Sequence, residues 1–285
     1  MVVSGKTCVC AVIGDPIEYS LSPVVQNAAF NALNLDFIYT AFRVKPFEVN
    51  NALAGVRALG IVGLNVTMPH KEAVIPCLDW IDESARFLSS VNTIHHKDGK
   101  LLGYSTDGVG VFNALRENDV DPCGKRVLML GAGGAARAIA YTLVQDVEEL
   151  VVLNRTVSGV EKLSEAVRQK FGKKVSVGLL SSKSIEEKIV DVDILLNTTS
   201  VGMKPNVNQS LVASNSLRSD MTVMDIVYNP VETQLVKDAK AVGANVVSGV
   251  EMLIYQGAAS FEIWTGQSAP VQVMRMAALE QLSRV

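Results

Sequence analysis

Arg126-Val-Leu-Met-Leu-Gly-Ala-Gly-Gly-Ala-Ala136 is the stretch on which the reading of this chain turns. Arg126–Leu130 reads as a buried strand. Directly after it, Gly131, Gly133 and Ala136 fit the spacing G-x-G-x-x-G/A. The first glycine allows a tight turn, the second leaves room for a pyrophosphate, and the alanine lets helix and strand pack closely. A helix from Ala135 to about Gln145 would aim free N–H groups and a partial positive charge at phosphates. Such a fingerprint also fits a plain tight turn. Here the following strand, Leu150–Leu153, is in place as well, and the reading is a dinucleotide site. That strand ends in Asn154-Arg155-Thr156. An NAD site wants a carboxylate there for the ribose hydroxyls, and Glu148 and Glu149 precede the strand, at its wrong end. An arginine suits a 2′-phosphate through two parallel hydrogen bonds, so NADP is the expected cofactor. The alternative is an arginine solvated in a surface loop.

Outward from this unit the same rhythm continues. Strands are expected at Val175–Leu179, Asp193–Asn197 and Thr222–Val227, with a sixth at Val246–Ser248. The set begins after Asp121-Pro122-Cys123-Gly124, a turn-forming break. Upstream, strands at Val9–Ile13, Phe37–Phe42 and Ile61–Val66 alternate with helices at Pro23–Leu33 and Phe47–Leu59. The pattern is βαβαβ, which implies a mostly parallel sheet covered by helices. From Glu251 onward the chain reads as helical, interrupted around Gly266–Pro270. Two α/β domains are expected, and 285 residues accommodate them.

Composition narrows the function classes. Lys and Arg total 26 against 29 Asp and Glu, a net charge of -3, so no basic stripe invites nucleic acid or an anionic membrane. Hydrophobic residues make up 48% and charged ones 19%, which excludes disorder as the main state. Cys8, Cys10, Cys77 and Cys123 form no C-x-x-C pair, and with three histidines they make no zinc framework; no metal is expected. Cys8 and Cys10 fall on one face of a strand, where buried, reduced thiols are expected. No apolar run approaches the ~20 residues of a membrane span, and Met1 to Lys6 has no basic segment leading into an apolar core. A cytoplasmic protein is expected.

The first half gathers polar residues where its strands should end. Ser20-Leu21-Ser22-Pro23 precedes a helix, with Ser22 placed as N-cap and Pro23 as the first helical residue. Ser20 could join Ser22 in holding an anion at that helix N-terminus. Asn65-Val-Thr-Met-Pro-His-Lys71 follows a strand, at the sheet edge where ligands bind in open α/β folds. Val91-Asn-Thr-Ile94 and Gly103-Tyr-Ser-Thr-Asp-Gly108 add two polar turns, each ordinary turn chemistry if taken singly.

Taken together, and in order, these motifs resemble the shikimate dehydrogenase family. The list continues through Gly131-Ala-Gly-Gly-Ala135, Asn154-Arg-Thr156, Asn197-Thr-Thr-Ser-Val-Gly-Met203, Asp225-Ile-Val-Tyr-Asn-Pro230 and Gln256-Gly257. The resemblance implies NADP-linked interconversion of 3-dehydroshikimate and shikimate in aromatic amino-acid biosynthesis. It implies a substrate domain of residues 1–107 with 251–285, the C-terminal helices returning to it, and a Rossmann-like domain of residues 108–250. It gives the substrate carboxylate to Ser20 and Ser22, helped by Tyr228. It gives the ring hydroxyls to Asn65, Thr67, Asn92, Asp107 and Gln256, and the catalytic pair is Lys71 with Asp107. On the cofactor side it matches Gly131, Gly133, Gly134, Ala135, Asn154, Arg155, Thr156, Met203 and Gly249. His70 has no matched role. A monomer or homodimer working on a small molecule is implied.

Three departures from the family pattern stand out. Ser105 replaces a frequent Asn, Ser89-Ser90 replaces a frequent Gly-Ala, and Thr156-Val-Ser-Gly159 lacks a further basic residue common in relatives. Two related readings are weaker. A quinate enzyme often carries Thr where Ser22 stands, and a silent NADP-binding regulator would have lost Lys71 or Asp107. Lys71 can serve as proton donor or mainly as an electrostatic clamp on the developing alkoxide.

Overall fold

Cys8–Gly14 (β1), reading CVCAVIG, is apolar along its length without alternation, as a strand covered on both faces must be. It pairs in parallel with Phe37–Arg43 (β2) on one side and with Gly63–Val66 (β3) on the other. The computed structural model describes residues 3–284 and divides into two compact units. One takes in the chain up to Asp107 and again from Ile254; the other is Gly108–Leu253.

In the first unit, Ser22–Ala32 (α1) and Val49–Ala58 (α2) are the crossovers between β1, β2 and β3. Val49, Leu53 and Val56 of α2 pack on Ala11, Ile13 and Leu64 on one face of the sheet. Phe30 of α1 stacks between Phe37 and Phe261, with ring centroids 5.0 and 5.3 Å away. After β3 come Trp80–Ile81 (β4), Glu83–Leu88 (α3) and a hairpin of Thr93–Lys97 (β5) and Lys100–Tyr104 (β6). The sheet order is β2-β1-β3-β5-β6-β4, and β5 alone runs against the others. The hairpin turns at Asp98-Gly99 with positive φ at both residues, the backbone of a two-residue I′ turn.

Asp107–Arg116 (α4) carries the chain into the second unit, where every strand pairing is parallel. Its elements are Arg126–Leu130 (β7), Gly134–Leu143 (α5), Glu149–Asn154 (β8), Val157–Phe171 (α6), Val175–Leu179 (β9), Ser182–Lys188 (α7), Ile194–Asn197 (β10), Thr222–Asp225 (β11), Gln234–Ala241 (α8) and Asn245–Val247 (β12). The sheet order β12-β11-β10-β7-β8-β9 is, in the unit's own count, the 3-2-1-4-5-6 arrangement of a dinucleotide-binding fold. Gly249–Thr265 (α9) leads back to the first unit, and Val271–Leu282 (α10) packs on α1.

The structure corrects several expectations. Helix α1 begins at Ser22, and Leu21, already in a helical conformation, is the N-cap without a side-chain bond. Ser22 therefore caps nothing; its own N–H donates to Ser20 Oγ at 3.3 Å. Strand β3 starts two residues late at Gly63, and α2 is preceded by a 3-10 turn over Pro46–Glu48. The four cysteines are free, and only Cys10 is buried outright; burial and the neighbouring Cys8 push its thiol far up the scale. Among the described residues no helix is long and apolar enough to cross a membrane.

Candidate active site

Lys71 sits in the loop that leaves β3, and Asp107 opens α4. Lys71 Nζ donates to Asp107 Oδ2 at 2.5 Å, with the side chains 18% and 6% exposed. The other carboxylate oxygen, Oδ1, accepts from Asn92 Nδ2 at 2.8 Å. Each oxygen thus has its own donor, and the carboxylate is held with one face to the ammonium. The loop is fixed at three points. Val91 N–H donates to Lys71 C=O at 2.9 Å, His70 N–H donates to Thr67 C=O at 3.0 Å, and His70 Nε2 lies 2.6 Å from Val44 C=O. A carbonyl can only accept, so Nε2 carries a proton and donates to it, tethering the ring. His70, left without a role by the sequence, is buried and sets the course of the chain into Lys71.

Behind this pair lies a buried polar network. Asn65 Oδ1 accepts from the Tyr39 hydroxyl at 2.6 Å. Its amide nitrogen faces Asn92 C=O, Thr93 Oγ1 and Ser260 Oγ at 3.1, 3.2 and 3.0 Å. Asn92 Oδ1 in turn accepts from Thr106 N–H at 2.8 Å. Ser260, one helical turn after Gln256, donates to Gln256 C=O at 3.0 Å and lies 2.8 Å from Thr93 Oγ1. Asn65, Asn92, Gln256, Lys71 and Asp107 are therefore one connected set within the first unit. Thr67, half-buried, lies beyond β3 with its methyl against Gly14. Ser20 and Ser22, also half-buried, stand at the start of α1. Tyr39, Thr93, Thr106 and Ser260 were missed from sequence.

The second unit carries the glycine turn. Gly131 has φ +106°, and a side chain there would meet Thr198 Oγ1 at 2.9 Å. Gly133 is the N-cap of α5, with open space where a Cβ would stand. Gly134 and Ala135 form the first turn of that helix, whose unpaired N–H groups point out at the same end. The backbone thus leaves room for a pyrophosphate and supplies donors to it. At the end of β8, Asn154 Nδ2 donates to Thr156 C=O at 3.0 Å, tying the turn, and Arg155 and Thr156 are exposed. Among the described residues no carboxylate pairs with Arg155, so its guanidinium can meet a phosphate. An NADP molecule fits this donor set.

Around β10 and β11 the buried Asp225 is a hub. Its Oδ1 accepts from Asn197 Nδ2 at 2.9 Å and Val227 N–H at 3.0 Å, and its Oδ2 from Thr233 Oγ1 at 2.7 Å. Burial pushes the carboxyl up to about 6, opposed by those three donors. The hub fixes the segments that carry Met203, which is exposed, and Tyr228, whose phenol burial holds above its usual range and hence a neutral donor. Gly249 lies where a side chain would stand 2.6 Å from Val227 C=O and 2.7 Å from Asp225 C=O.

Three family models cover the chain in order. The shikimate dehydrogenase substrate-binding domain matches residues 12–94, shikimate/quinate 5-dehydrogenase residues 114–244, and the shikimate 5′-dehydrogenase C-terminal domain residues 249–279. A shikimate dehydrogenase (NADP(+)) of Methanopyrus kandleri is 47% identical over 98% of this chain and 98% of its own. A crystal structure of a shikimate dehydrogenase in complex with NADP+ has a TM-score of 0.93 at 42% identity, covering 99% of this chain and 98% of that one. A shikimate 5-dehydrogenase from Listeria monocytogenes, in complex with shikimate and NAD, has a TM-score of 0.90 at 35% identity over 96% and 97%. With relatives at these identities along its whole length, the chain belongs to the shikimate dehydrogenase family.

Proposed function

We propose that this chain catalyses the NADP-linked, reversible reduction of 3-dehydroshikimate to shikimate, with Lys71 and Asp107 as its catalytic pair. The observation that carries the reading is the 2.5 Å contact of Lys71 Nζ with Asp107 Oδ2, with Asn92 on the other oxygen. Reduction of a ring ketone generates an alkoxide that needs a counter-charge and a proton. Bound NADPH supplies the hydride. Lys71 is positioned to stabilise the alkoxide and to give up a proton at Nζ. Asp107, held by Asn92, orients the ammonium, and the proton that Nζ gives up is replaced from solvent, to which Lys71 is 18% exposed.

Asn65, Thr67, Asn92 and Gln256 take the ring hydroxyls, and Ser20 and Ser22 the carboxylate. The assignment of Tyr228 to the carboxylate rests on its motif, since it stands in the second unit. Gly131, Gly133, Gly134, Ala135, Asn154, Arg155, Thr156, Met203 and Gly249 serve the dinucleotide, with Arg155 on the 2′-phosphate. The work belongs in the cytoplasm, on a small molecule. Steady-state oxidation of shikimate and of quinate, each with NADP+ and NAD+, tests the reading. Shikimate with NADP+ should give the highest kcat/KM, and a higher value for quinate or for NAD+ would overturn it.

A further inference from the structure

Tyr39 lies in the middle of β2, and only 2% of its surface is exposed. Its hydroxyl donates to Asn65 Oδ1 at 2.6 Å. A phenol has a single O–H donor, and here it is spent on Asn65. Asn65 is a residue given to a ring hydroxyl of the substrate.

The backbone around this phenol is clamped as well. β2 is an edge strand, so its outward peptide groups have no neighbouring strand. At Tyr39 the Asn27 side chain takes that place. Tyr39 N–H donates to Asn27 Oδ1 and Asn27 Nδ2 donates to Tyr39 C=O, both at 2.8 Å. The same Asn27 nitrogen reaches Pro23 C=O at 2.8 Å, in the first turn of α1 beside Ser22. The ring itself leans on Trp264 of α9 at 6.0 Å. Backbone, ring and hydroxyl of Tyr39 each have a partner.

We propose that Tyr39 is a positioning residue for substrate recognition, its hydroxyl fixing the Asn65 side chain in one geometry. The proposal rests on the reading of Asn65 as a substrate ligand. With Oδ1 of Asn65 occupied by the phenol, the amide can present only its N–H₂ side to Asn92, Thr93 and Ser260. Removing the phenol O–H takes the donor from Oδ1, so the Asn65 amide loses its set orientation. Burial raises the phenol well above its usual range, with the Cys10 thiol adding to this, so the group stays a neutral hydroxyl throughout the working pH range. It can orient but takes no part in proton transfer.

Tyr39→Phe removes one oxygen and leaves the ring in place. In the full enzyme it should raise the shikimate KM by roughly 5- to 50-fold, the loss expected for one buried hydrogen bond, while kcat and the NADP+ KM stay within about twofold. Calorimetric titration of the enzyme–NADP+ complex with shikimate should show the same fold-change in Kd. Adding Asn65→Ala to Tyr39→Phe should cost less than the product of the two single effects, because the phenol acts through Asn65. A shikimate KM unchanged in Tyr39→Phe would overturn the proposal, as would a parallel rise in both KM values accompanied by lost thermal stability. Asn65→Ala separates this from the underlying reading. If that variant binds shikimate as the wild type does, the substrate assignment itself has failed; if it loses binding and Tyr39→Phe does not, only the role of Tyr39 has.

Discussion

Replacing Lys71 with Met should separate what the Lys71–Asp107 pair does for catalysis from what it does for stability. The substitution keeps most of the side-chain length and removes the ammonium. Asp107, 6% exposed, is then left with Asn92 Nδ2 as its side-chain donor among the described residues. Stranding a fully buried charge costs about 3–5 kcal/mol. The 18% exposure of Lys71 admits some water, and Asn92 keeps its bond, so about 1–3 kcal/mol is expected here. Loss of the proton donor and of the counter-charge to the alkoxide should lower kcat by roughly 10²–10⁴, with the shikimate KM changed far less. Neutralising the partner as well, in Lys71→Met/Asp107→Asn, removes the stranded charge. It should return most of the stability and none of the turnover. The assays are urea unfolding and steady-state shikimate oxidation on all three proteins. A Lys71→Met enzyme within tenfold of wild-type kcat, or a double variant that regains turnover, would refute the reasoning.

Other consequences can be measured in the same way. Arg155 is exposed and, among the described residues, has no carboxylate partner, so Arg155→Ala should remove most of a 10- to 150-fold preference for NADP+ in kcat/KM, about 1.5–3 kcal/mol, and leave NAD+ turnover nearly unchanged; equal use of both cofactors by the wild type would exclude a phosphate clamp at Asn154-Arg155-Thr156. Ser20, rather than Ser22, accepts the first N–H of α1, so Ser20→Ala should cost about 0.5–1 kcal/mol of unfolding free energy as well as roughly tenfold in shikimate affinity, and thermal and calorimetric measurements on both serine variants would show if the order is reversed. Asp225, pushed up to about 6 from 3.8, binds a proton in the folded chain that the unfolded chain has already lost, so its contribution to stability falls as pH rises from about 4 to about 6. The unfolding free energy of wild type minus that of Asp225→Asn should therefore drop by up to about 3 kcal/mol across that window, and a flat difference would show that the carboxyl titrates normally.

The cofactor half of the fold was legible because its signals are local. A strand, a glycine turn and a helix lie within twenty residues, and β7 and β9 fall on the expected bounds. The hairpin β5–β6 was missed although Asp98-Gly99, between Lys97 and Lys100, is a strong two-residue turn signal. The N-terminus of α1 was misread by one residue, since Leu21 adopts helical angles and leaves the useful hydroxyl on Ser20. Side chains that organise the site from behind were out of reach for a different reason. Ser260 lies 195 residues from Asn65 and Tyr39 lies 26 from it, and no spacing rule joins residues that only the folded sheet brings together. The motifs given to the substrate were visible in order, while the hydrogen bonds that join them were not.

The division of the chain has a consequence for how it is made. The second unit is one continuous stretch, so all of its strands have been synthesised before the chain passes Leu253. The first unit is still waiting then, because Phe261, Trp264 and Ser260 are encoded downstream. Until they arrive, Phe30 lacks a stacking partner, Ile94 C=O lacks its indole donor, and the Asn65 amide lacks one of its acceptors. A chain released after Leu253 would therefore hold every strand of the second unit but leave one apolar face of the first unit's sheet uncovered, and that face is the stretch a chaperone would find to hold.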